Sequence, residues 1–146
     1  MVSKSTVVDA PSGAVWETLA AFDRIGDWFD GVEHASYLTE STEGVGCARR
    51  VQVGRNVLVE RVTVWEPGRA LAYTLEGLPP VVGGATNHWT LVPEGERTRV
   101  TLTTTVDPGV KPPGRLVARL LARRLATASD GMLAGLAAHH AGAPSR

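Results

Sequence analysis

One cysteine, Cys47, is all that this 146-residue chain carries, so neither an internal disulfide nor a multi-cysteine zinc site can form, and a reducing compartment is expected. Net charge is also missing: 15 Lys plus Arg meet 15 Asp plus Glu. Long apolar runs are absent as well. With 43% hydrophobic and 21% charged residues, the chain is too interrupted for a membrane span and too apolar for disorder. Met1-Val2-Ser3-Lys4-Ser5 turns polar at once and starts no signal-peptide core, so a cytoplasmic location is expected. There is no His-Glu-x-x-His, no carboxylate cluster at helical spacing and no Cys/His spacing, so no metal and no cofactor are expected.

What is present fits a single domain over 1–146, because a chain of this size buries about two-thirds of its unfolded surface. The charges are unevenly spread: 9 basic and 14 acidic residues precede position 111, whereas 6 basic and 1 acidic residue occupy 111–146. Arg115, Arg119 and Arg123 share one helical stripe, with Arg124 beside them. No aromatic residue interleaves with them to stack bases, so a nucleic-acid partner is not expected. A solvated face is the plain reading of the stripe, and docking to a partner or an acidic membrane is its functional one, without stable insertion.

Residues 3–9 read as a short edge strand, and Ala10-Pro11-Ser12 opens an amphipathic helix over 11–21 carried by Val15, Leu19 and Phe22. Asp23 to Phe29 suits a second short helix. Segments 32–40, 45–53, 57–65, 70–76, 85–92 and 98–106 are rich in Val, Thr, Leu, Tyr and Trp, and turn residues separate them. From 115 to about 138 one apolar stripe persists: Val117, Leu121, Leu125, Ala128, Met132 and Leu136. Residues 1–2 and 141–146 are expected to fray. The fold class is therefore α+β: a curved seven-stranded antiparallel sheet wrapped around a long C-terminal helix, with two short helices between strands 1 and 2.

Strand pairing follows from the turns. A hairpin at Gly54-Arg55 sets Val51 against Leu58, Arg49 against Glu60 and Cys47 against Val62. The turn at Glu66 to Arg69 sets Val64 against Leu71, Val62 against Tyr73 and Glu60 against Leu75. The turn at Glu94 to Arg97 sets Leu91 against Val100, Trp89 against Leu102 and Asn87 against Thr104. These pairings place Val51, Leu58, Val62, Val64, Leu71, Tyr73, Leu75, Trp89, Leu91, Val100, Leu102 and Val106 on one concave face. Arg49, Glu60, Asn87 and Thr104 are the polar insertions in it. A charged group there is costly unless paired, and an Arg–Glu pair across strands holds both. That pair either serves folding alone or presents a polar end to a ligand.

The other candidates are weaker. His88 alternates outward, His34 opens a strand near the short helices, and His139 and His140 point apart on a helix. Cys47 faces inward as a small filler with no histidine partner. Ser12 and Ser129 lie in no nucleophile elbow, and Gly83-Gly84 lacks the following helix that cradles a phosphate. Trp16, Trp28 and Trp65 read as packing residues. The Tyr73 hydroxyl needs a partner, which Glu60 or a ligand oxygen could supply. The apolar loop from Leu78 to Gly84 is either a lid or a rigid turn.

Several motifs in this order resemble one superfamily. Ala10-Pro11-Ser12 runs into Val15-Trp16, and Phe22-Asp23 precedes Trp28. Gly44-Val45-Gly46 stands before Arg49-Arg50-Val51, and Glu60-Arg61-Val62-Thr63 before Trp65-Glu66-Pro67-Gly68-Arg69-Ala70-Leu71-Ala72-Tyr73. Trp89-Thr90-Leu91, Gly95, Thr98 and Val100 complete the set. The chain thus resembles the START-domain, birch-pollen-allergen-like and polyketide cyclase/dehydrase proteins (SRPBCC), whose fold is the helix-grip. The resemblance implies a hydrophobic cavity between sheet and helix, used for lipids, hormones or polyketide chains. Plant hormone receptors of that superfamily carry Gly-x-x-Arg-Glu-Val, whereas Arg50 stands here at the glutamate. Their Ser-Gly-Leu-Pro gate is replaced by Val53-Gly54-Arg55-Asn56, so hormone sensing is not supported.

The leading expectation is a binder of a small, mostly hydrophobic polyketide- or lipid-like ligand. Its site would comprise Arg49, Val51, Leu58, Glu60, Val62, Tyr73, Leu75, Asn87, Trp89, Leu102 and Thr104 of the sheet, with Leu121, Leu125 and Met132 of the helix. The alternatives are a cyclase or dehydratase, with Glu60 as acid or base and Tyr73 or Asn87 on an enolate oxygen, and a ligand-free interaction module. A homodimer stays open.

Overall fold

The computed structural model describes residues 1–110 and 112–141. Strand β1 (Val2–Val8) leads through Pro11, which caps helix α1 (Ser12–Ala20) in an extended conformation, into a 3₁₀ segment, Phe22–Asp27. Strands β2 (His34–Tyr37), β3 (Ala48–Val53), β4 (Asn56–Glu66), β5 (Ala70–Glu76), β6 (Gly84–Glu94) and β7 (Arg97–Asp107) follow, and helix α2 (Gly114–Ala141) closes the chain. The strands form one antiparallel sheet in the order β1-β7-β6-β5-β4-β3-β2. Helix α2 packs on β1 and β7, and the 3₁₀ segment packs on β2.

Several boundaries differ from expectation. Val2 does not fray but pairs with Thr104. Residues 142–146, also expected to fray, lie outside the described residues. The strand expected over 45–53 starts only at Ala48, because Gly44 and Gly46 take φ values of 86° and 94° that break the extended backbone. The strand expected over 32–40 is confined to His34–Tyr37.

The expected registers hold from Ala48 to Val53 against β4 and along β6 and β7. They fail once. The β4–β5 ladder slips between Val62 and Val64, so Val64 faces Ala72 rather than Leu71, and Trp65 faces Leu71. A bulge of one residue inverts the side chains beyond it. Val64 thus leaves the concave face, where the sequence reading placed it, and Trp65 replaces it against Trp16 of α1, with ring centroids 5.2 Å apart.

The core joins the concave sheet face to α1, the 3₁₀ segment and the C-terminal half of α2. Met132, Leu133 and Leu136 are buried, Leu125 and Ala128 pack at the margin, and Val117 and Leu121 are half-buried outside the cluster. Close approach in that half depends on two glycines one turn apart. A Cβ on Gly135 would overlap the Trp28 carbonyl oxygen, and one on Gly131 would meet the Phe29 ring at 3.1 Å.

Candidate functional site

The concave face carries two polar clusters inside apolar walls. Arg49 on β3 and Glu60 on β4 are opposed in register, with side chains only 3% and 7% exposed. Arg49 Nε donates to Glu60 Oε1 at 2.7 Å, and Nη2 lies 2.6 Å from the same oxygen. Arg49 Nη1 donates to the Phe22 carbonyl at 2.6 Å, which ties the 3₁₀ segment to the sheet. The guanidinium stacks 3.7 Å from the Phe22 ring centroid and 5.0 Å from that of Tyr73. A cation so enclosed keeps favourable electrostatics from two aromatic faces as well as from its carboxylate. Both carboxylate contacts fall on Oε1, which leaves Oε2 for another donor.

The second cluster crosses from sheet to helix. Ser129 of α2 lies 3.2 Å from Thr104 Oγ1, which donates to Asn87 Oδ1 at 2.7 Å. Asn87 Nδ2 and Trp89 Nε1 both reach Tyr73 Oη, at 3.4 and 3.2 Å. With two N–H groups donating to Oη, the Tyr73 proton is left to donate to an acceptor of its own. Burial, reinforced by the charge of Glu60, raises the Tyr73 pKa above the usual 10.0, so the hydroxyl stays a proton donor. Beside this track Trp28 packs edge-on against Trp89, centroids 5.9 Å apart, and its buried Nε1–H has no partner among the described residues.

Two open clefts lie elsewhere. One of about 300 Å³ holds Asp23, Asp27, Glu33 and His34. The other, about 660 Å³, lies on the outer sheet face along Val64, His88, Thr90 and Val92. Neither lies in the expected space between the sheet and α2, where Phe22, Trp28, Arg49, Tyr73 and Trp89 are packed. The loop before β6 is fastened rather than loose. Gly83 N–H donates to the Asp107 carbonyl at 2.8 Å, and Gly109 and Gly114 both press close to the Val81 carbonyl.

A family model described as polyketide cyclase / dehydrase and lipid transport matches residues 1–141. The chain belongs to this family. Its fold is the helix-grip of aromatase/cyclase neighbours. Zhui aromatase/cyclase from Streptomyces sp. R1128 is 24% identical, with a TM-score of 0.77 over 95% of this chain and 92% of that one. A protein of Thermobifida fusca is 25% identical, with a TM-score of 0.75 over 95% and 91%. The di-domain ARO/CYC StfQ of the steffimycin biosynthetic pathway is 16% identical, with a TM-score of 0.78 over 95% of this chain and 50% of that one. No curated protein matches the sequence.

In this polyketide cyclase/dehydrase-family chain, the expected sheet residues Val51, Glu60, Val62, Tyr73, Leu75, Asn87, Trp89, Leu102 and Thr104 are buried together with Arg49. Leu58 and Leu125 sit at the core margin, Met132 is buried, and Leu121 is half-buried. His88 and His34 are exposed and belong to the two outer clefts. Burial raises the pKa of the Cys47 thiol, so a small inert filler describes it. Sequence reasoning had Phe22 and Trp28 as apolar packing residues but did not place them, or Ser129, beside the polar clusters. Ser129 was legible, since it stands four residues after Leu125 and seven before Leu136 on one helical face. The Phe22 carbonyl was not, because a backbone acceptor has no residue signature.

Proposed function

We propose that this protein binds a small, mostly apolar molecule with an oxygen-bearing polar end, held over the concave sheet face under α2. The observation that carries this reading is unspent hydrogen-bonding capacity in an apolar interior: the Tyr73 proton, Glu60 Oε2 and the Trp28 Nε1–H. A buried polar group without a partner costs about 1–3 kcal/mol, so a ligand that accepts from Trp28 Nε1–H binds with that gain. A hydroxyl could donate to Glu60 Oε2, and a carbonyl could accept from Tyr73. Trp28, Trp89 and Phe22, which fill this space here, would have to part to admit a ring system or chain. Family membership and the aromatase/cyclase neighbours support a ligand-binding or cyclase role.

The same atoms favour a second reading as an enzyme. An aldol cyclisation with loss of water needs a base beside the acidic carbon and an O–H donor at the developing enolate oxygen. Glu60 would supply the first and Tyr73 the second, with Arg49 positioning Glu60. Native mass spectrometry of freshly purified protein tests binding, together with tryptophan fluorescence titration by polycyclic phenols and by fatty acids. A stoichiometric adduct or saturable quenching, weakened in Tyr73→Phe, is expected. No adduct and no quenching by either class would overturn the reading. Turnover lost with binding retained in Glu60→Gln would establish the enzyme.

A further inference from the structure

The outward face of α2's first half is built like an interfacial helix. Leu116 and Leu120 are 58% and 53% exposed. Helical spacing puts both at the centre of the face turned away from the core, with Arg115 and Arg119 to one side and Arg124 to the other. Arg123 continues the central stripe. None of these four arginines has an ion-pair partner among the described residues. The one carboxylate of the helix, Asp130, is taken by Lys4 at 2.7 Å.

A further apolar side chain is exposed just before the helix begins. Val110, in the connector before α2, is 98% exposed. Gly109 and Gly114 lie against the Val81 carbonyl of the 77–83 loop, whose Pro79 and Pro80 are also exposed. Protruding apolar tips beside a helix with leucines in the middle and arginines on both flanks form a surface that needs two things at once, an apolar layer and negative charge above it. Leucines centred between arginines meet both needs at a bilayer with acidic headgroups.

We propose that this end of the molecule docks on an anionic lipid bilayer, with Val110, Leu116 and Leu120 entering the headgroup boundary and the arginines meeting lipid phosphates. Docking is peripheral, since no described helix is long and apolar enough to cross a membrane. It is independent of what the interior binds.

Flotation with phosphatidylcholine vesicles, with and without phosphatidylglycerol, at low and high salt tests this. Flotation is expected only with phosphatidylglycerol and is released by salt. Arg119→Gln/Arg123→Gln should weaken partition roughly 30-fold, at about fivefold per arginine near an anionic surface. Leu116→Gln/Leu120→Gln should weaken it about tenfold at unchanged charge, with the melting temperature unaltered because both side chains are exposed. No flotation with phosphatidylglycerol, equal flotation without it, or full flotation of the leucine variant would each overturn the proposal.

Discussion

Arg49→Met is the most informative perturbation of the interior, because it removes one cation from four partners at once. It leaves the Glu60 carboxylate, 6% exposed as a residue, without its counter-charge, and it frees the Phe22 carbonyl that Nη1 held at 2.6 Å. Deleting one member of a buried ion pair costs about 3–5 kcal/mol, most of it the penalty on the charge left behind. Methionine restores part of the aliphatic packing against Phe22 and Tyr73 but none of the cation–π attraction, about 0.5–2 kcal/mol. The expected loss is about 4 kcal/mol, or roughly 12 °C in Tm at about 3 °C per kcal/mol for a chain of this size. Glu60→Gln keeps an oxygen for Nε and leaves the Phe22 carbonyl and both rings in place, so it should cost about 1–3 kcal/mol. In Arg49→Met/Glu60→Gln both charges are gone, and the double variant should be more stable than Arg49→Met alone. Urea denaturation of all four proteins closes the cycle, with a constant m-value as the check on two-state behaviour. A double variant as unstable as the sum of the singles would refute the argument that the orphaned carboxylate, rather than lost packing, carries the cost.

Three further outcomes are expected. Gly135→Ala forces a methyl into the Trp28 carbonyl, which is backbone and cannot rotate aside, and should cost about 1–3 kcal/mol or more, whereas Gly131→Ala meets only the Phe29 ring and should cost less; thermal melts compare them. His140 Nε2 meets Thr18 Oγ1 at 2.9 Å, and burial, helped by His139, lowers its pKa below 6.5. Its stabilising share is therefore complete above pH 6.5 and lost as pH falls through the folded-state value; an NMR titration should find His140 ionising below 6.5, and His139→Gln should raise it only in part, since burial remains. Tyr73 behaves in the opposite sense: an unfolded tyrosine ionises near 10.0 while the buried one resists, so stability holds below pH 10 and falls above it. Tyr73→Phe should show a smaller alkaline loss in stability against pH, with Tyr37, also raised by burial, left to supply part of it.

How much of this architecture was readable depends on the kind of signal each part leaves. Hairpin arithmetic placed Arg49 opposite Glu60 and Asn87 opposite Thr104, because tight turns fix register and two-residue periodicity carries it along the strand. The same arithmetic failed past Val62. Thr63, Val64 and Trp65 offer an apolar side chain to the core in either phase, so alternation cannot register a single inserted residue there. Burial then chose the larger ring: Trp65 reaches Trp16 and anchors α1, and Val64 is left on the outer face.

Helix α2 shows the complementary limit. Its apolar stripe from Val117 to Leu136 states which face is able to be buried, and only the opposing surface decides which part of it is. Trp28 and Phe29 provide that surface for the half containing Gly131 and Gly135, where the absence of a side chain admits their backbone and ring. Toward the N-terminus Leu121 stays half-buried, and Leu116 and Leu120 face outward, where no core pattern accounts for them. One helix therefore has two different tasks along its length. Its glycine half closes the apolar interior over the Tyr73, Asn87, Thr104 and Ser129 track, and its arginine half presents leucines to the outside. A substitution of Leu116 or Leu120 that weakens lipid docking should leave interior stability intact, because both side chains are exposed and neither belongs to the core cluster.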